Sequence, residues 1–185
     1  QLTQIALVLG LITQDAERAR RALRALSDML LVAAHEAVVT PSELAEAMMT
    51  HGARAARAAG QDIVELIAAM TMLARAGRTG AMAGRVYATV LRELQSSAIE
   101  ASAAWQQLGI TVMEAGRLRP LSQIMEELGA VLRQMPPAAQ EMTLAMLGIS
   151  EANRSLIISL ATQTGSWTDL IGVLTRAGGA ARRIG

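Results

Sequence analysis

One short segment, residues 108–121, interrupts a sequence that otherwise follows helical spacing. It reads Leu-Gly-Ile-Thr-Val-Met-Glu-Ala-Gly-Arg-Leu-Arg-Pro-Leu. Gly109 can stop the preceding helix, Ile110 to Met113 can run extended, Glu114-Ala115-Gly116 can turn, and Pro120 can open the next helix. The segment predicts a short β-hairpin near residues 110–119 as the only β-structure of an all-α, multi-helix chain.

The rest of the chain predicts a succession of helices, because apolar residues recur three and four positions apart. We expect a short apolar stripe formed by Leu2, Ile5, Leu9 and Ile12, followed by helices over 15–37, 41–59, 63–77, 83–94, 97–108, 121–135, 138–147, 151–162 and 167–176. No internal repeat or sustained heptad seam is present.

Local start and stop signals support several of these helices. Thr40-Pro41-Ser42-Glu43 has the form of a capping box, with a hydroxyl at the cap, Pro at the first helical position and Glu three residues after the cap. Gly60 and Gly77 can adopt the left-handed conformation that ends a helix. Pro136-Pro137 ends the helical pattern that begins at Leu121. Trp105 is expected to anchor the helix before the hairpin through its large ring.

Several further segments accompany the hairpin in a fixed order. They are Pro41-Ser42-Glu43-Leu44-Ala45-Glu46-Ala47-Met48, Ala59-Gly60, Ile67-Ala68-Ala69-Met70-Thr71-Met72-Leu73-Ala74-Arg75-Ala76-Gly77, Gly80-Ala81-Met82-Ala83-Gly84, Leu128-Gly129, Met135-Pro136-Pro137 and Ala145-Met146-Leu147-Gly148-Ile149. In this order and spacing, residues 40 to 175 resemble the core region of phage tail tape measure proteins. The chain departs from that family by having no Phe: Met113, Leu118 and Leu147 stand where aromatic residues are usual.

The resemblance implies a domain division and a structural role. Residues 1–39 would be an N-terminal helical segment, 40–178 a tape-measure core-like helical domain, and 179–185 a flexible tail. The whole protein would set tail length during assembly and be released at genome ejection. It would occupy the lumen of the phage tail or the tail tip in the virion, and the host cytoplasm during assembly.

The same resemblance implies partners. These would be copies of the chain itself, with a trimer expected first and a hexamer next, together with the tail tube, distal tail or baseplate hub proteins and tail assembly chaperones. Contact with the genome end or the host membrane would involve other parts of the protein.

Composition limits the possible functions. The chain of 185 residues is 52% hydrophobic, but about one residue in five is Ala and only 2% are aromatic, so we expect closely approaching helices and a loosely specified core. All 17 basic residues are Arg against 16 acidic residues, and the net charge of +1 is too small for a typical nucleic-acid domain. Cysteine is absent, which excludes disulfide and thiolate chemistry.

The ends and the apolar segments of the chain also carry expectations. An apolar helical pattern begins at Leu2 without a preceding cap, which is typical of an excerpt from a longer protein. The stretch from Ile5 to Ile12 is too short to cross a bilayer, and polar residues interrupt the stretch from Leu144 to Ala161. We therefore expect no membrane span within these residues.

Three patterns resemble sites but favour plainer interpretations. The glycine-rich run from Gly77 to Gly84 lacks Lys and matches no phosphate-binding fingerprint, so a helix stop with a close helix crossing is favoured. His35 beside Glu36, with His51 distant, lacks the spacing of a metal site. Glu126-Glu127 is expected to lie on a solvated helix face. The sequence thus predicts no enzyme and no catalytic, cofactor-binding or metal-binding residues.

Two further surfaces have both a plain and a functional interpretation. Arg18, Arg20, Arg21 and Arg24 could touch DNA or an acidic protein wall, but Asp15, Glu17 and Asp28 dilute them, and solvation with local pairing is favoured. The 11 Met residues could form an adaptable partner surface, but ordinary core packing is favoured.

Two other functions remain open from the sequence. Ala-rich amphipathic helices with Met would also suit a membrane-active pore or translocation module, which liposome binding would reveal. A helical accessory domain of an enzyme is the other, and its catalytic residues would lie elsewhere.

Overall fold

A computed structural model of the chain describes residues 1–8, 10–11, 15–163 and 165–183, with side chains described as far as residue 179. Its elements in chain order are α1 (Leu2–Val8), α2 (Ala16–Ala37), α3 (Pro41–Ala47), a π-helical segment (Met48–Gly52), α4 (Ala53–Ala58), α5 (Ile63–Arg75), α6 (Gly80–Glu100), α7 (Ser102–Gln107), β1 (Met113–Glu114), β2 (Arg117–Leu118), α8 (Leu121–Leu132), α9 (Pro137–Met146), α10 (Glu151–Thr162) and α11 (Trp167–Arg183). The predicted all-α class with one hairpin is confirmed for these residues.

Helix α5 lies at the centre of the molecule. Every residue from Glu65 to Leu73 is buried, and α5 contacts α2, α6, α8 and α11. This burial follows from a helix that is apolar on most of its circumference, since such a helix is stable only when surrounded by others. Around it, α2 packs along α11, α3 and the π-helical segment pack on α6, and α10 packs on α8.

One buried hydrophobic cluster runs from Ile5 in α1 to Leu174 in α11. Small residues allow close helix approach within it. A Cβ atom on Gly84 would overlap the carbonyl oxygen of Ala47, and one on Gly129 would overlap that of Ala161. Gly77 ends α5 with φ +77°. The predicted helix stop and close crossing at the glycine-rich run are therefore confirmed.

The hairpin forms where it was predicted, with a tighter turn. Met113 pairs with Leu118 and Glu114 with Arg117, in antiparallel register. The two turn residues, Ala115 and Gly116, both have positive φ, at 50° and 76°. That combination is the two-residue turn that matches the twist of hairpin strands. Glu114, expected in the turn, is instead the last residue of the first strand.

The start signal at Thr40 is confirmed in detail. The Thr40 hydroxyl accepts a hydrogen bond from the backbone N–H of Glu43 (3.2 Å), and the Glu43 carboxylate accepts one from the backbone N–H of Thr40 (2.9 Å). The backbone N–H of Thr40 and its hydroxyl, which donates to the same carboxylate at 2.8 Å, hold the pKa of Glu43 below its usual value. The helix that begins here ends before Gly60 (φ +71°), as predicted, but it contains an unpredicted π-helical turn over Met48–Gly52.

Two other boundaries differ from the prediction. The helix expected over 97–108 is divided, because α6 continues to Glu100 and Ala101 (φ −117°, ψ 31°) breaks it before α7. The last helix continues beyond Arg176 to Arg183.

Of the N-terminal apolar stripe, Ile5 is buried, whereas Leu9 and Ile12 lie outside the described residues. Residues 184–185 of the expected tail also lie outside them, and the domain boundaries stay predictions.

Candidate functional surfaces

A buried amide connects the loop after α4 to the exit of the hairpin. Gln61 is 6% exposed, and its Nε2 donates to the carbonyl oxygens of Arg119 (3.1 Å) and Leu118 (3.5 Å). Its Oε1 accepts from the backbone N–H of Leu121, the first residue of α8, at 2.8 Å. One side chain thus satisfies three backbone groups where a strand ends and a helix begins, and these groups would otherwise be costly to bury.

Four residues farther along, a carboxylate caps the same helix. Glu65 accepts hydrogen bonds from the backbone N–H (2.9 Å) and the hydroxyl (2.6 Å) of Ser122. Burial raises the pKa of Glu65, while the two bonds from Ser122 act in the opposite direction. Together with the contacts of Gln61, these bonds form a junction that fixes α8 against α5.

The Tyr87 hydroxyl is buried without a hydrogen-bond partner among the described residues. Burial, with the charges of Glu65 and Asp62, raises its pKa.

The predicted solvated face at Glu126-Glu127 is wrong, because both carboxylates are half-buried and engaged. Glu127 receives two bonds from the Arg119 guanidinium, at 2.9 and 3.0 Å, and the hydrogen bonding raises the pKa of Arg119. Glu126 accepts from the Ser166 hydroxyl (2.7 Å) and the backbone N–H of Trp167 (3.2 Å), at the start of α11. The Glu126 partners lie about 40 residues away in sequence, so no local pattern indicates them.

Trp105 anchors the region before the hairpin, as predicted. It is 3% exposed, and its Nε1 donates to the Ser97 hydroxyl at 2.7 Å. That hydroxyl in turn donates to the carbonyl oxygen of Leu147, at the end of α9. The chain from ring to hydroxyl to carbonyl ties α6, α7 and α9 together.

The structure separates the roles of the residues considered as metal ligands. His35 and His51 are exposed, and Glu36 forms an ion pair with Arg75 at 2.8 Å. Among the described residues, no three His, Cys, Asp or Glu side chains come together in a way that could hold a metal ion.

The basic residues of α2 lie on the surface, and the Met residues are divided between the core and the surface. Arg18, Arg20, Arg21 and Arg24 are exposed, and Arg18 pairs with Asp15 at 3.4 Å, which agrees with solvation and local pairing. Met29, Met48, Met70, Met72 and Met125 are buried in the core, whereas Met49, Met82, Met142 and Met146 are exposed. Core packing thus accounts for part of the Met content, and an apolar surface remains.

Comparison with known proteins identifies the family to which this helical chain belongs. Residues 3–148 match the family described as phage-related minor tail protein. The chain belongs to that family, and it is a structural protein of a phage tail. No curated protein and no solved structure matches the chain.

None of the described helices is by itself long and apolar enough to cross a membrane. Helices α9 and α10 reach the length and apolar composition of a membrane span only when they are taken together, and the chain bends by 118° between them.

Proposed function

We propose that this chain is part of a tape measure protein, which sets tail length during assembly and is released at genome ejection. Membership of the minor tail protein family supports the tail assignment. The order of the hairpin and its flanking segments supports the finer one. A helical chain advances about 1.5 Å per residue, so residue number in a long helix can encode length.

Within such a protein, these residues form a folded docking unit and not a straight ruler. The observation that supports this is the junction of α5, the hairpin and α8. Gln61 and Glu65 bind residues 118–122, more than 50 positions later in sequence. Connections of this kind hold helices side by side, so the length of the folded unit does not grow in proportion to residue number.

The partners proposed for this unit are copies of itself, a trimer first and a hexamer next. Tail tube, distal tail or baseplate hub proteins and assembly chaperones complete the proposed set. Its place would be the tail lumen or tip, and the host cytoplasm during assembly.

We propose that this unit has no enzymatic role, and its membership of a structural family supports this proposal. Alanine replacement of His35 and His51 should leave assembly and infectivity nearly intact.

Deletion of residues 61–135 in the phage tests the role. It removes α5, α6, α7, the hairpin and α8, and the remaining helices lose the surfaces on which they pack. We expect failed or aberrant tails in electron micrographs. A matched deletion of equal length in a long helical stretch elsewhere in the parent protein should give tails shortened by about 1.5 Å per residue. Normal tails shortened in proportion to the 61–135 deletion would show that this segment is itself a ruler.

A further inference from the structure

Helix α9 presents an apolar stripe to the outside. Its exposed residues Ala138, Glu141, Met142, Ala145 and Met146 recur at three- and four-residue spacing, and Glu141 is the stripe's one charged member. Met142 is 67% exposed and Met146 61% exposed. A surface helix is usually polar on its solvent-facing side. The solvent-facing side of α9 is apolar instead, which is the pattern of a helix that packs against other surfaces on two sides.

The internal packing of α9 uses only its other side. Leu144 is its one fully buried residue, and α10 is its main helical neighbour. Gln140 fixes the start of the helix by donating to the carbonyl oxygens of Leu132 (2.8 Å) and Met135 (3.3 Å). The outward stripe is therefore held in a defined orientation while making no contribution to the core.

A groove with complementary chemistry lies between α4 and α6. Its volume is about 520 Å³, and its apolar base includes Ala55, Ala59, Ala88 and Leu91. Exposed arginines stand around it, at positions 54, 85 and 92, and none of its lining residues is acidic. These three arginines make no ion pair with any described residue. The groove thus combines an apolar base with uncompensated positive charge.

We propose that the outward stripe of α9 in one copy docks into the α4–α6 groove of a second copy. The two Met side chains are flexible and suit a shallow alanine base, and Glu141 would meet the arginine rim. A nucleic acid fits less well, because most of the groove's lining is apolar and the net charge of the chain is only +1. The proposal requires self-association alone and does not rest on a length-setting role.

This contact joins different surfaces on the two copies. Such a head-to-tail contact leaves one free stripe and one free groove at the ends of any open assembly, and it is completed only when a ring closes. A single ten-residue helix buries little area, so each contact is weak by itself. Closure makes the last contact intramolecular, which favours rings over open dimers.

Two variants of the full 185-residue chain test the proposal. Met142→Glu/Met146→Glu removes the stripe, and Arg85→Glu/Arg92→Glu reverses the charge of the groove. All four positions are exposed, so the fold should survive, which circular dichroism checks. Matched controls at other exposed positions are Leu31→Glu/Ile99→Glu and Arg20→Glu/Arg24→Glu. Sedimentation velocity from micromolar to millimolar concentration gives the assembly state.

We expect the unaltered chain and both controls to form closed oligomers, and each test variant alone to be monomeric. An equimolar mixture of the two test variants retains one intact stripe and one intact groove, so at millimolar concentration it should form a one-to-one dimer and nothing larger. The proposal is overturned if the unaltered chain stays monomeric, if the test variants assemble like the controls, or if their mixture fails to dimerise at millimolar concentration. A monomeric chain that binds duplex DNA through Arg85 and Arg92 would assign the groove to a polyanion instead.

Discussion

The carboxylate of Glu65 on α5 caps the first turn of α8 by accepting both the backbone N–H and the hydroxyl of Ser122. The two bonds measure 2.9 and 2.6 Å, and both residues are buried. A helix usually supplies its own cap, but α8 begins after Pro120, which has no side-chain cap. The cap comes from a different helix, so the start of α8 and the packing of α5 are stabilised by the same contact.

Truncation at Glu65 should therefore be costly. Glu65→Ala leaves the buried N–H and hydroxyl of Ser122 without their acceptor, and we expect a loss of about 1–3 kcal/mol in the free energy of unfolding, before any effect of the cavity. Glu65→Gln keeps one oxygen as an acceptor and can donate to the Ser122 hydroxyl, so it should lose less. Urea unfolding of the three chains measures the difference. Equal losses for Ala and Gln would show that the bonds to Ser122 contribute little.

The same pair of variants predicts a pH dependence. Burial raises the pKa of Glu65 above 4.5 in the folded state, so the folded chain holds this proton more tightly than the unfolded chain does. As pH rises from 4.5 through the folded pKa, the Glu65 contribution therefore lowers stability. Stability of Glu65→Gln relative to the unaltered chain should increase over that window and stay constant below it. A constant difference across the whole range would contradict the assignment.

Two glycines within helices should respond to alanine substitution with stability changes of opposite sign, because only one of them lies at a close helix crossing. Gly84→Ala places a Cβ atom against the Ala47 carbonyl, so we expect destabilisation of about 1–3 kcal/mol. Gly172→Ala is the control, because it also lies within a helix and its Cβ would meet only the Arg176 guanidinium at 3.4 Å. Helix propensity should make that variant more stable by up to about 1 kcal/mol. Thermal unfolding measures both, and a stabilised Gly84→Ala would refute the close crossing.

Val38 is a strained and exposed residue at the end of α2. It has φ +56° and is 92% exposed, although β-branched side chains strongly disfavour this conformation. Val38→Gly should relieve about 1–2 kcal/mol of strain, offset in part by the larger entropy of the unfolded chain, for a net gain of about 0.5–1 kcal/mol. Val39→Gly is the neighbouring control and should destabilise, since Val39 packs against the core. Denaturant midpoints for the two variants should move in opposite directions.

Features that depend on a few adjacent residues could be predicted from the sequence. The capping box at Thr40 and Glu43 is closed by groups three positions apart, and the hairpin turn is set by Ala115 and Gly116. The helix ends at Gly60 and Gly77 follow from the same kind of local signal. Together with apolar periodicity, such signals suffice for the class and order of the elements.

Features that depend on distant partners could not be predicted. Glu126 has the pattern of a solvated residue until Ser166, 40 residues later and just before α11, donates to its carboxylate. The π-helical turn has no sequence signature here, and it lies where α6 crosses with Gly84 against Ala47. The α4–α6 groove likewise joins Arg54 to Arg85 and Arg92, which lie 31 and 38 residues later, and only the packing reveals this.

Two adjacent serines on α6 provide the sharpest test of the region before the hairpin. Ser97 is 2% exposed and accepts from Trp105 Nε1 while donating to the Leu147 carbonyl, whereas Ser96 is exposed. Ser97→Ala leaves a buried indole N–H and a buried carbonyl oxygen without their partner, so we expect a loss of about 1–3 kcal/mol. Ser96→Ala makes the same chemical change one position away and should stay within about 0.5 kcal/mol of the unaltered chain. Chemical unfolding followed by tryptophan fluorescence measures both variants. Equal stability of the two would show that the link from Trp105 through Ser97 to Leu147 does not hold α7 and α9 against α6.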